Sequence, residues 1–299
     1  MAMITIRQMR YFDALAQELH FGRAARRLNI SQPALSAQIA QMEEFFGGPL
    51  VERRPNGLIL TPEGGVVAAR VRHILAEVRD LEGLSGHHGE VLSGRLKIGF
   101  IASVAPYLLP ALLPLLRERR PQLEVEIRES VTTSLLDALD AGELDCVVLA
   151  LPYEQSGIEL IPLFDDPFHL AVPETDAGRF PLPVQLGAIA CERLILLEEG
   201  HCLRDQALKV CQIADPDRLA SFGATSLTTI LRMVAEGLGV TLIPQIAVTV
   251  EGRSGGVAVL PLAKPTPTRT LALAFRRSSV RHRDFEALAE IIQECGGSA

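Results

Sequence analysis

No run of eighteen apolar residues occurs in this 299-residue chain, and its first residues, MAMITIRQMRYF, lack a charged segment followed by an apolar core. Neither a membrane span nor an export signal is encoded, so the expected location is the cytoplasm, with no membrane partner. Cysteine is sparse: Cys146, Cys191, Cys202, Cys211 and Cys295 are odd in number, widely spaced, and form no CxxC pair or His-rich ligand spacing. That pattern argues against a disulfide framework or a structural zinc, and no metal or cofactor is expected. In a reducing compartment any disulfide would be transient and catalytic or redox-sensing. Positive charge is also short, with a net charge of -7 for the whole chain. Residues 1–60 nevertheless hold seven basic residues against five acidic ones. A basic head on an acidic body points to nucleic acid as a partner of the head alone.

What is present is apolar material, 48% of the chain, enough for two or three cores. In "LHFGRAARRLNISQPALSAQIAQMEEFFG", Phe21, Ala24, Ala25 and Leu28 recur at helical steps, and so do Leu35, Ile39 and Met42 after a break. Asn29 suits the tight turn between the two helices, Ser31 the cap of the second, and Pro33 its first turn, where a missing amide hydrogen costs nothing. The spacing predicts a helix-turn-helix. Its second helix would present Ser31, Gln32, Pro33, Ser36 and Gln38 to a major groove. "LVERRPNGLILTPEG" then reads as two short strands about a turn at Pro55, Asn56 and Gly57, a wing that places Arg53 and Arg54 to touch phosphates or a minor groove.

From Thr61 onward a helix is predicted to about Leu84, with Val67, Val71, Ile74, Val78 and Leu81 at alternating steps of four and three. Between a DNA-reading head and the loose "SGHHGEVLSG", it has little to lie on, so the stripe is expected to dimerise with a second copy. Beyond residue 94, strands and helices alternate. "RLKIGFI" (95–101), "LEVEIRE" (123–129) and "DCVVLAL" (145–151) form one set; "RLILLE" (193–198) and "VTLIP" (240–244) belong to a second. "PFHLAV" (167–172) and "RTLALAF" (269–275) are the expected crossings, beside a cleft where ligands bind in such sheets. The expected fold class is α plus α/β. A winged helix-turn-helix spans 1–60, a linker and dimerisation helix with hinge 61–93, and a regulatory domain 94–299. Its subdomain I is 94–166 with 270–299, and its subdomain II is 167–269.

The head pattern Phe21, Ala24, Ala25, Leu28, Ser31, Gln32, Leu35, Ser36, Ile39, Glu43, Gly47, Leu50, Arg53, Thr61 and Gly64 resembles that of LysR-type transcriptional regulators. "GHCLRDQAL" followed by Cys211, with "PYLLP", "LDCVVLAL", "PLFDDP" and "ATSL", resembles the peroxide-sensing OxyR subfamily. The resemblance implies a regulator rather than an enzyme, with periplasmic-binding-protein-like subdomains. It implies a peroxidatic Cys202, a resolving Cys211, and peroxide held by Ser103, where the family commonly has threonine, and by Thr132. His201, Arg204 and Asp205 are the polar neighbours counted with the reactive cysteine. The implied partners are double-stranded promoter DNA, RNA polymerase, hydrogen peroxide as signal, a thiol reductant for reset, and other copies of the chain in a tetramer built as a dimer of dimers.

The residues themselves leave more than one reading of "EEGHCLRDQALKVC". If Gly200 ends a strand and a helix opens near His201, Cys202 stands in the first turn, where free amide hydrogens favour a thiolate. On that helix Cys202 and Cys211 would lie about 13 Å and half a turn apart. A bond between them would require the helix to refold. Alternatively the cysteines are small hydrophobes in a regulator whose cleft takes an organic effector through Ser103, Thr132 and Ser226. A thiol peroxidase is a third reading, one that leaves the DNA-reading head unexplained.

Overall fold

The computed structural model describes residues 3–54, 57–84, 91–153, 156–189, 193–211, 219–252 and 255–296. The chain forms two compact units, Met1–His88 with Asp140–Glu143, and Gly89–Leu139 with Leu144–Ala299.

The first unit opens on α1 (Ile6–Glu18), whose cap Thr5 exchanges hydrogen bonds with Gln8. α2 (Phe21–Arg27) is capped by His20, whose ring Nδ1 accepts from the Gly22 and Arg23 amides at 3.0 and 3.3 Å. Asn29 takes a left-handed φ of 54° and turns the chain into α3 (Gln32–Phe46), where Ser31 Oγ accepts from the Ala34 amide and Pro33 stands in the first turn. Strands β1 (Val51–Arg54) and β2 (Gly57–Leu60) pair antiparallel as a wing. The turn residues Pro55 and Asn56 lie outside the described residues. Phe12, Leu15, Ala24, Leu35, Ile39 and Met42 make the core, so the periodicity read in the sequence is the buried face of a winged helix-turn-helix.

Helix α4 (Pro62–Leu84) corrects one expectation, because it does lie on its own unit. Ala68, Val71 and Leu75 are buried in the head's core, and Val67 packs against it. The face turned to α1 is centred about a fifth of a turn away from the Val67-to-Leu81 stripe. The stripe is therefore split. Val71 is spent inside the head, Val78 is half-buried, and Ile74 and Leu81 remain 40% and 66% exposed.

The second unit holds two hydrophobic cores around one seven-stranded sheet, in the order β10 (Val257–Pro261), β6 (Ile158–Pro173), β11 (Thr268–Arg276), β5 (Cys146–Ala150), β3 (Gly94–Ile101), β4 (Leu123–Ser130), with β9 (Thr241–Pro244) also on β6. In the first core β3 (Gly94–Ile101) pairs in parallel with β4 (Leu123–Ser130) and β5 (Cys146–Ala150). Helices α5 (Ala105–Arg119), α6 (Thr132–Asp140) and α11 (His282–Gly296) contribute apolar faces, so the C-terminal helix packs back on this core as its amphipathic pattern predicts. The second core takes β9 (Thr241–Pro244), β10 (Val257–Pro261), the parallel pair β7 (Leu194–Leu197) and β8 (Leu219–Ala224), and helices α7 (Leu186–Ile189), α8 (Cys202–Val210), α9 (Leu227–Ala235) and α10 (Gln245–Glu251). β6 (Ile158–Pro173) joins them. Its first half pairs with β11 (Thr268–Arg276) and its second with β9 and β10.

That strand begins nine residues before the crossing read in the sequence. Pro162 interrupts the pattern there, and the ladder accommodates it by a register shift opposite Leu271 and Ala272. Tyr107 of α5 packs against both cores, and its hydroxyl donates to Glu251 of α10 at 2.9 Å. Thr228 of α9 donates to the same carboxylate oxygen at 2.6 Å. Among the described residues no helix is long and apolar enough to cross a membrane, and no group of three or more His, Cys, Asp or Glu is placed to hold a metal.

Candidate functional site

Gly200, at a φ of 92°, turns the chain out of β7, and α8 opens at Cys202 with His201 as its cap residue. The His201 side chain makes no capping hydrogen bond. Leu203 and Ala207 face inward while Asp205 and Lys209 are exposed, the amphipathic spacing that makes the segment helical. Cys202 is half-buried and packs against the first core, across from the lobe that carries it. Cys211, at the C-cap of the same helix, is buried in the second core. Each end of α8 thus delivers a sulfur to a different core, about 13 Å and half a turn apart.

The turn before Cys202 lies against the start of α6: a methyl placed on Gly200 would stand 3.8 Å from Val131 Cγ1. The next residue, Thr132, has a buried Oγ1 without a hydrogen-bond partner. Gln206, one turn along α8 from Cys202, donates from Nε2 to the Leu151 carbonyl at 3.1 Å and leaves its buried Oε1 unpartnered. Buried oxygens of this kind can accept a hydrogen bond from a small polar molecule. Ser103 is differently placed. Arg269 donates from Nη1 to its Oγ at 2.8 Å and from Nη2 to its carbonyl at 3.2 Å. Arg269 in turn donates from Nε to Asp166 at 2.9 Å, and the other Asp166 oxygen accepts the Ile246 amide at 3.0 Å. Both charged side chains are 1% exposed.

Of the polar neighbours expected at the cysteine, Arg204 gives Nη1 to the Leu197 carbonyl at the end of β7, 3.0 Å away, and Asp205 is exposed. His201 is half-buried, with its amide on the Glu198 carbonyl. Ser226 caps α9, accepting from the Thr229 amide at 3.2 Å. The four described cysteines are free thiols, and Cys191 lies outside the described residues. Burial pushes the Cys211 thiol up to about 11. Burial also raises Cys295, and it raises the fully enclosed Cys146 well above the usual thiol range. Arg269, Asp166 and Gln206 were not singled out in the sequence. The first two sit in strand-like runs and meet across the fold, whereas the helical spacing of Gln206 from Cys202 was readable.

In the head, Ser31, Gln32 and Pro33 are exposed at the start of α3, and Ser36 and Gln38 are half-buried behind them. Gln32 and His20 flank Gly22, where an added methyl would stand 3.5 Å from Gln32 Oε1 and 3.2 Å from His20 Cε1. The exposed Arg53 of β1 holds its guanidinium 5.5 Å from the centre of the Phe21 ring. Wing and recognition helix therefore converge on the start of α2.

Two family descriptions match this chain: bacterial regulatory helix-turn-helix protein, lysR family, over residues 6–65, and LysR substrate binding domain over residues 89–296. It is 42% identical over 290 residues to the DNA-binding transcriptional dual regulator OxyR of Escherichia coli K12, covering 97% of this chain and 95% of that one. Among solved structures it resembles full-length OxyR of Pseudomonas aeruginosa bearing a cysteine-to-aspartate substitution. The TM-score is 0.81 at 36% identity, covering 99% of this chain and 96% of that one. A hydrogen peroxide-bound cysteine-to-serine mutant of Corynebacterium glutamicum OxyR matches with a TM-score of 0.66 at 35% identity, over 100% of this chain and 96% of that one.

Proposed function

This chain belongs to the LysR family of DNA-binding regulators and, within it, to the OxyR group, and from that premise we propose that a Cys202–Cys211 disulfide switches its peroxide response. One observation carries the reading: a single nine-residue helix opens at Cys202, packed against one core, and is capped by Cys211, buried in the other. The Cys202 thiolate attacks one peroxide oxygen, the O–O bond breaks, and the second oxygen leaves as hydroxide and takes up a proton to become water. Thr132 Oγ1 and Gln206 Oε1 are the atoms proposed to orient the peroxide, with Ser103 held in place by Arg269. The sulfenic acid at Cys202 is then attacked by the Cys211 sulfur. The S–S bond forms, the S–O bond breaks, and water leaves. Because α8 keeps the sulfurs apart, this second step proceeds with the helix unwound, which makes oxidation a change of fold. A thiol reductant returns two electrons and resets the protein.

In this proposal the chain binds promoter DNA in both redox states, contacts RNA polymerase when oxidised, and works as a dimer of dimers in the cytoplasm. The organic-effector reading loses one of its three hydroxyls, since that of Ser226 caps α9. The test is a thiol count with peptide mapping under denaturing conditions. One equivalent of peroxide should lower five thiols to three and link Cys202 to Cys211. An unchanged count, or a different linked pair, would sink the switch.

Two further outcomes concern the head. Gln32→Ala should cost roughly 1–3 kcal/mol on a duplex selected by the parent protein and relax base preference, whereas Arg53→Ala should weaken selected and random duplexes alike and flatten the salt dependence. Equal losses on both duplexes for Gln32→Ala would contradict its role at base edges. Ile74→Asp with Leu81→Asp, on the open part of the α4 stripe, should yield monomers by light scattering, because the pair would bury charge at the interface. A mass unchanged from the parent dimer or tetramer would remove α4 as the seam.

A further inference from the structure

Glu43 stands three residues before the end of α3, and its Oε1 accepts from the Leu50 amide at 2.9 Å and the Val51 amide at 3.3 Å. These are charge-assisted bonds from the recognition helix to the first residues of the wing. The same short stretch is gripped from α4. Thr61 gives its amide to the Leu50 carbonyl at 3.0 Å and its hydroxyl to the Pro49 carbonyl at 2.8 Å. At Gly64 an added methyl would sit 1.9 Å from the Leu50 oxygen, so only glycine permits the approach. The wing is thus anchored at one peptide, with a carboxylate on one side and close packing on the other. Arg53 follows Val51 by two residues on β1 and shares its face of the strand.

We infer that Glu43 is a positioning residue for DNA binding: it fixes the angle of the wing, and so the reach of Arg53, relative to the recognition helix. This rests on Arg53 touching phosphate, as proposed above. Without the carboxylate at its present reach, the Leu50 and Val51 amides turn to water, β1 swings about the Thr61 anchor, and Arg53 loses its register with the base-reading side chains. The negative charge of Glu43 would itself oppose DNA, so its benefit to binding must come through geometry.

The experiment measures affinity of the full-length protein for a random-sequence duplex over a range of salt concentrations, with thermal melts run alongside. Arg53→Ala is measured first and should reduce the salt slope by about 1. An unchanged slope there removes the phosphate contact, and the positioning role falls with it. Glu43→Asp keeps the charge but is one methylene too short; it should lower affinity about tenfold and reduce the slope as Arg53→Ala does, with no further loss in the double variant. Glu43→Gln keeps an acceptor at the same reach and should stay within about threefold of the parent. Glu43→Asp with an undiminished slope, or losses that add fully to those of Arg53→Ala, would overturn the inference. So would Glu43→Gln weakening binding while Glu43→Asp does not, since charge rather than reach would then decide.

Discussion

Cys202→Ser protein is expected to bind DNA as the parent does and to be blind to peroxide, because the substituted residue lies at the opening of α8 and the head is a separate compact unit. Cys211→Ser should behave differently. It should still react, but stop at a sulfenic acid on Cys202 that a dimedone-type probe traps and that excess peroxide drives further. The pH dependence separates the two steps. Burial pushes the Cys211 thiol up to about 11, so in the intact helix it is a protonated, poor nucleophile at neutral pH. Unwinding would return it to the ordinary range near 8.5, so disulfide closure should accelerate between about pH 7.5 and 9. In reduced protein, alkylation of Cys211 should stay slow until pH approaches 11. Closure that stays flat across that lower window, or prompt alkylation of reduced Cys211 at neutral pH, would contradict an opening helix. A peroxide response surviving in Cys202→Ser would move the sensor elsewhere.

Asp166→Ala should destabilise the second unit by about 3–5 kcal/mol by urea denaturation. It removes the carboxylate drawn against the buried Arg269 and strands a guanidinium that is 1% exposed. The amide of Ile246 loses its acceptor as well. The neighbouring Asp165→Ala, at an exposed position bonded to the Thr270 hydroxyl, should shift stability by no more than roughly 0.5 kcal/mol. The peroxide reaction of Asp166→Ala should also slow, because Arg269 is what holds Ser103. Equal denaturation midpoints for the two variants would mean that Arg269 finds another partner.

The head was legible because its signals are local. Ser31, Pro33 and Asn29 act within a few residues of the ends they shape, and Leu35, Ile39 and Met42 carry the helical period into the core. The α4 stripe was half legible: period alone finds an apolar face, but whether α1 or a second chain covers it depends on a rotation of about a fifth of a turn. Within the site, the cysteine spacing and the helix start were readable. The grip of Arg269 on Ser103 and Asp166 was not, since it joins positions more than a hundred residues apart. The early start of β6 was hidden by Pro162, which the sheet absorbs by slipping register.

Glu251 shared by Tyr107 and Thr228 bears on how such a two-lobed domain carries a signal. Domains of this build often work as clamshells, closing and opening about their crossing strands. Here burial, with Glu251 beside it, pushes the Tyr107 phenol up, so it keeps its proton and holds a carboxylate that is itself only 5% exposed. A gaping motion would part that bond, pull the tyrosine ring off two oily surfaces at once and leave an anion short of a donor. The lobes are in effect riveted. Under the proposed switch, a stimulus arriving between them would act on α8, which meets the facing lobe only through Cys202 packing and the Gln206 bond to the Leu151 carbonyl among the described residues, and the signal would travel as a rewriting of that helix.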